Sequence, residues 1–178
     1  MMKISKTDKE MVTKLQSGNL SLIADALKDF RTSGSVALIP YLFEIISSGE
    51  FAALEEEILG LISDIKDKKA AGVIADALQN KDYKNKTSSI VAACWQSSLD
   101  FSPHMHVFAE YFFTNDYQTA IEVFTVIEES LYNASVAQRK ACLTVLENKR
   151  SNVQQELKPL YQELIKMVES SLDFTLDN

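Results

Sequence analysis

The chain has 178 residues, 46% apolar and 24% charged, with a net charge of −7, the make-up of a globular domain long enough to bury a core. Five Gly and three Pro are too few for a turn-rich β fold, and the negative charge disfavours nonspecific attraction to phosphate backbones. The richest apolar run, Val36 to Ile46, is interrupted by Pro40 and Glu44 and is too short to span a bilayer.

The N-terminal residues Met1 to Lys6 lack the apolar stretch of a secretion signal, so the expected compartment is the cytoplasm, with no membrane and no nucleic-acid partner. Asn85-Lys86-Thr87 and Asn133-Ala134-Ser135 match glycosylation acceptors, which carry no weight without such a signal. Thr7 with Glu10 forms a plausible capping box for a first helix, and Gly18 ends it.

From there the chain is punctuated. Helix-like apolar patterns stop at five short polar turns: Ser17-Gly18-Asn19-Leu20, Ser48-Gly49-Glu50-Phe51, Asn80-Lys81-Asp82-Tyr83, Thr114-Asn115-Asp116-Tyr117 and Asn148-Lys149-Arg150-Ser151. Their last residues lie 31, 32, 34 and 34 positions apart. A constant period in this range marks an array of stacked helical repeats.

Counted forward from each turn's last residue, the seventh position holds Leu27, Ile58, Ile90 and Phe124, and the tenth Phe30, Leu61, Ala93 and Ile127. The fourteenth holds Ile65, Ser97 and Leu131 in the last three units. These steps of three and four predict the buried stripe of a first helix, A. Counted backward, the fifth position holds Leu15, Ile46, Leu78, Phe112 and Leu146, and the ninth Met11, Leu42, Ile74, Phe108 and Cys142. The eighth holds Val12, Phe43, Ala75, Ala109 and Leu143, completing the stripe of a second helix, B. Cys94 and Cys142 fall in these registers and are expected as buried thiols.

The loops between A and B carry matching signals. Gly34-Ser35 reads as a stop followed by an N-cap, Asp67 caps a helix starting at Lys68, and Asn133 and Ser135 do similar duty. Ser102-Pro103 reads as an N-cap with proline at the first helical position. The helix before Gly18 matches only B positions, so residues 1–18 read as an N-terminal half-repeat and 19–150 as the repeats proper. Past Ser151 the register fails. Val153, Leu157, Leu160, Leu164 and Met167 still share a helical face that Pro159 should kink or split. Residues 151–172 are expected as a divergent C-terminal cap, helix or helix pair, with 173–178 as a tail.

Paired helices at this spacing resemble HEAT-type repeats over roughly residues 8–150. The match is closest from Ile58 to Trp95, through Ile58-Leu59-Gly60-Leu61-Ile62-Ser63-Asp64, Ala70 to Leu78, and Asp82. The ankyrin Thr-Pro-Leu-His signature is absent, as is the Trp, Gly, Tyr and Pro pattern of tetratricopeptide repeats. The resemblance implies an all-α, right-handed α-α superhelix of about four helical hairpins forming one domain. It also implies a concave surface lined by B helices, and protein recognition or scaffolding as the function.

Catalytic chemistry finds no constellation. His104 and His106 are the only histidines and, two apart on a helix, point about 200° from each other, so no metal site is expected. No phosphate-binding glycine loop, nucleophile elbow or metalloprotease helix occurs, and no cofactor is expected. Glu55-Glu56-Glu57 and Glu128-Glu129 read as solvated faces of A helices. The outward middle row of the B helices is Thr13, Glu44, Asp76, Glu110 and Thr144. With adjacent helices packed roughly 8–10 Å apart, its three carboxylates would form an acidic ladder.

Between Lys86 and Arg139 lie 52 residues without Lys or Arg, carrying six Asp or Glu and nine of the sixteen aromatics. Phe108, Phe112 and Phe124 belong to the expected core; Tyr41, Tyr111 and Phe113 fit it less well. The expected partner-binding residues are therefore Tyr41, Glu44, Asp76, His106, Glu110 and Phe113, facing a basic or partly apolar segment of a partner protein or peptide. Two alternatives stand beside this reading. One is a HEAT-like enzyme or small-ligand protein, of the lyase or glycosylase type, with a pocket near Trp95, Tyr111 or the histidines. The other is a structural subunit of a larger assembly.

Overall fold

A computed structural model describes residues 5–80, 83, 86–113 and 116–173. Lys81, Asp82, Asn85, Thr114, Asn115 and the tail from position 174 lie outside the described residues, and with them parts of the third and fourth turns. Among the described residues all regular structure is helical. It comprises α1 (Lys6–Leu15), α2 (Leu20–Ser33), α3 (Ile39–Ser48), α4 (Glu55–Asp64), α5 (Ala70–Leu78), α6 (Thr87–Gln96), α7 (Met105–Tyr111), α8 (Tyr117–Ser130), α9 (Val136–Asn148) and α10 (Lys158–Asp173).

The helix ends follow from local chemistry. Asn19 caps α2 by accepting from the backbone N–H groups of Ser21 and Leu22 at 2.9 and 3.2 Å. Asp116 does the same for α8 with Gln118 and Thr119 at 3.1 and 3.2 Å. A full capping box opens α9, where Ser135 and Gln138 satisfy each other's backbone N–H. Gly18 and Gly49 adopt φ of +67° and +70°, a left-handed turn that a residue with a Cβ resists.

Several expected ends are corrected. The box of α1 is Ser5 with Asp8, at 3.0 Å in both directions, rather than Thr7 with Glu10, because the helix already begins at Lys6. Asp67 does accept from the Lys69 N–H at 3.0 Å, although α5 proper starts at Ala70. Ser35 makes no side-chain cap, and a short 3-10 turn from Val36 to Leu38 leads into α3 instead. Ser102 is not a cap either: it sits inside the 3-10 turn before α7, and the Asp100 carboxylate accepts its backbone N–H at 2.9 Å. Pro159 neither kinks nor splits the last helix. It stands at the second position of α10, where the missing N–H has no intrahelical partner to lose.

The packing runs in two series. Helix α1 packs on α3, α3 on α5, α5 on α7 and α7 on α9; in parallel α4 packs on α6, α6 on α8 and α8 on α10. Consecutive helices meet most closely across the turns, as α1 with α2, α3 with α4, α7 with α8 and α9 with α10. So α1, which the register reads as a half-repeat, packs on both α2 and α3, and α10 packs on both α8 and α9.

One apolar core runs from Met11 to Val168. The B-helix residues at the fifth and ninth positions before each turn's end are all buried, and so are the A-helix residues at the tenth. Phe43, Phe108 and Phe112 are fully enclosed, each worth about 1.5–3 kcal/mol of apolar burial. The stripe loosens elsewhere. Val12 and Leu143, in the first and last B helices, are half-buried. So are Ile65, Ser97 and Leu131 at the fourteenth A position. Phe124 is also half-buried, with Val123 taking its place in the core.

Both cysteines are buried as expected, and the Cys94 thiol donates to the Ile90 carbonyl. Burial pushes the Cys142 thiol up to about 12 and raises that of Cys94 as well. Both therefore stay protonated and weakly nucleophilic in the folded chain.

Candidate partner-binding surface

The odd-numbered helices pack in series, and one repeat position on them holds the residues of the expected acidic row. Glu44 on α3, Asp76 on α5 and Glu110 on α7 are all exposed, as are Thr13 on α1 and Thr144 on α9. Among the described residues Glu44 and Asp76 have no ion pair. Glu110 differs. Its carboxylate accepts from the Lys149 ammonium at the C-terminus of α9, so that charge is already met within the chain.

The same lysine sits 6.0 Å from the centre of the Phe113 ring. Phe113 in turn packs edge-on against Phe112 at 5.6 Å and tilts against Tyr161 of α10 at 6.2 Å. Phe113 is thus half-buried in a cluster joining α7, α9 and α10. Tyr41 is half-buried against the core, and Tyr111 likewise, with its phenol pKa raised by burial. The aromatics expected beside the acidic row are therefore largely packed into the fold.

His104 closes the 3-10 turn before α7 and only His106 lies within the helix, so the two do not stand at one helix's spacing. His106 is exposed, and His104 is half-buried, its ring about 3.6 Å from where a Cβ on Gly72 of α5 would lie. Burial lowers the His104 pKa, with Asp76 and Asp100 pulling it up and His106 pushing it down. Among the described residues no group of three or more His, Cys, Asp or Glu is placed to hold a metal ion, and no helix is long and apolar enough to cross a membrane.

Exposed aromatics lie on the even-numbered helices instead. Trp95 of α6 is 40% exposed, Tyr117 of α8 53%, and Tyr132, just after α8, 84%. Ile121 lies one helical turn from Tyr117 on α8 and is exposed with it. The Trp95 indole N–H donates to Glu122 at 2.6 Å, and Gln118 donates to the other oxygen of the same carboxylate at 2.5 Å. A shallow cavity of about 190 Å3 beside Trp95 is lined by Ser97, Asp100, Glu129 and Asn133 among others, smaller than the roughly 300 Å3 at which small-molecule pockets begin.

The sequence carried a signal for Trp95 that its composition obscured. Trp95 follows the buried Ile90 by five residues, which at 3.6 residues per turn places it about 140° around the helix from the core stripe. No family model, no curated protein sequence and no solved structure matches this chain.

Proposed function

We propose that this chain is a HEAT-like helical-repeat module that recognises a basic, partly apolar segment of another protein. In this reading the odd-numbered helices form the concave side of a right-handed superhelix and present Glu44 and Asp76 to the partner, with Tyr41 and His106 flanking them. The serial packing of helices two apart in sequence supports the repeat architecture. The observation that carries the functional reading is the pair Glu44 and Asp76: two exposed carboxylates at one repeat position on helices in contact, with no ion pair among the described residues. Two unmatched negative charges along one face favour a cationic ligand by charge complementarity. Glu110 and Phe113 border this surface and serve mainly to join α7 to α9 and α10.

The test is a charge reversal, Glu44→Lys with Asp76→Lys, which disturbs no described ion pair. Circular dichroism should give unchanged helicity and melting. Affinity purification from the native cell should then lose the partners that the unaltered chain retains. Recovery of the same partners at the same strength by the reversed variant would sink the proposal.

A further inference from the structure

The outer surface of α6 and α8 presents a second feature, independent of the acidic row. Trp95, Tyr117 and Ile121 are large apolar side chains left in solvent on two helices that pack together. Trp and Tyr in such positions are the side chains most often found to dominate binding energy. The indole is also held in place: its N–H is bonded to Glu122, whose other oxygen is bonded to Gln118. A ring already fixed by its own chain loses little freedom on binding. Beside it a groove of about 360 Å3 crosses from Leu59 of α4 over Ser88, Ser89 and Ala92 of α6 to Gln118 and Glu122 of α8.

Charge decides what fits. From position 87 to 138 the chain has no Lys or Arg; α6 is uncharged, and the charged residues of α8 are all acids, Glu122, Glu128 and Glu129. Lys86, at the edge, is bound to Glu55 at 2.7 Å. Among the described residues Glu122, Glu128 and Glu129 have no ion pair. A second copy of this chain would bring these acids against one another across a two-fold interface. An acidic ligand is repelled in the same way.

We propose that the α6–α8 surface is a docking site for a peptide segment of a partner protein that alternates cationic and aliphatic side chains. Its cation lies against the Trp95 ring and the Glu122 carboxylate, and its aliphatic side chains cover Tyr117 and Ile121. A cation is attracted both to an indole face and to a carboxylate. The site lies on helices other than α3 and α5, so it does not depend on the row of Glu44 and Asp76.

Trp95 is the only tryptophan in the chain, so its emission reports occupancy directly. The probe is a short peptide alternating arginine and leucine, titrated against the full chain, with arginine–serine and glutamate–leucine peptides of equal length as comparisons. The arginine–leucine peptide should shift the emission and saturate. Glu122→Gln, which keeps the indole's acceptor and removes the charge, should weaken binding about fivefold. Tyr117→Ser with Ile121→Ser should weaken it about tenfold, while Glu44→Gln with Asp76→Asn stays within about twofold. Circular dichroism of each variant confirms that it is folded.

Equal binding of the arginine–serine peptide would overturn the proposal, since attraction to net charge would then suffice. Equal binding of the glutamate–leucine peptide would overturn the charge selection. Loss of binding in the Glu44 and Asp76 variant, with none in Glu122→Gln, would move the peptide to the other face. A dimer in sedimentation that the Tyr117 and Ile121 variant abolishes would make this surface a self-interface.

Discussion

Substitutions at Glu110 and Lys149 test whether this part of the acidic row serves the fold. Glu110→Gln removes the ion pair with Lys149, whose two side chains are 46% and 35% exposed. At that exposure solvent screening limits the pair to about 0.2–1 kcal/mol. Lys149→Met removes the same pair and also the cation 6.0 Å from the Phe113 ring, a further contribution of about 0.5–1 kcal/mol. In a chain of this size 1 kcal/mol corresponds to about 2–4 °C in Tm. Glu110→Gln should thus lower Tm by about 0.4–4 °C and Lys149→Met by about 1–8 °C. Asp76→Asn should leave Tm unchanged. Thermal melts of both singles and the double variant close a double-mutant cycle, whose coupling should be about 0.2–1 kcal/mol and shrink as salt is raised. A coupling of zero at low salt, or an Asp76→Asn variant that melts as low as Glu110→Gln, would refute the assignment of Glu110 to the fold.

Four further outcomes follow from local features of the chain. Gly60→Ala should stabilise the chain by about 0.5–1 kcal/mol, because α4 gains a better helix former and the new Cβ meets nothing within 4 Å. Gly34→Ala should destabilise it by about 1–3 kcal/mol, because the Cβ would stand 2.3 Å from the Phe30 ring and 2.8 Å from its carbonyl oxygen; urea titrations of the two variants should move in opposite directions. Ser5→Ala should cost about 1 kcal/mol as the loss of a helix cap, whereas Thr7→Ala, inside α1, should be close to neutral in the same titration. The His104 pKa lies below its ordinary 6.5 in the folded chain. Its contribution to stability is therefore fully present above that value and is lost as pH falls through the folded one. Tm measured against pH should decline on that side of 6.5, and less steeply in His104→Gln.

The register read from the turns located the core because burial forces a period on the sequence. Leu15, Ile46, Leu78, Phe112 and Leu146 each fill the same place in a helix that must turn one side inward, so their spacing recorded the packing directly. Helix starts were less legible. Ser5 and Thr7 are both competent caps, and only the backbone path decides that Ser5 is used. Pro159 could equally break a helix or begin one, and the difference lies in where the preceding 3-10 turns set the chain down. Side-chain pairing was least legible. Nothing in the spacing of Glu110 and Lys149, 39 positions apart, announces that they meet, and so of three acids at equivalent positions one is engaged in an ion pair while, among the described residues, the other two are not. The exposed aromatics were misplaced for a related reason: composition located them between Lys86 and Arg139 without saying which helix face carried them.

The serial packing has a kinetic and mechanical consequence. Each helix leans chiefly on neighbours one or two places away in sequence, so most tertiary contacts close short stretches of chain. Folding can begin at any adjacent pair and spread outward at little loop entropy, which favours a fast rate. The terminal helices, with neighbours on one side only, should exchange their amide hydrogens sooner than α6 and α7 in the middle. Deformation should travel the same way. In the superhelix proposed above, a small tilt at each contact would add to its neighbours' tilts, so that bending is spread over many contacts.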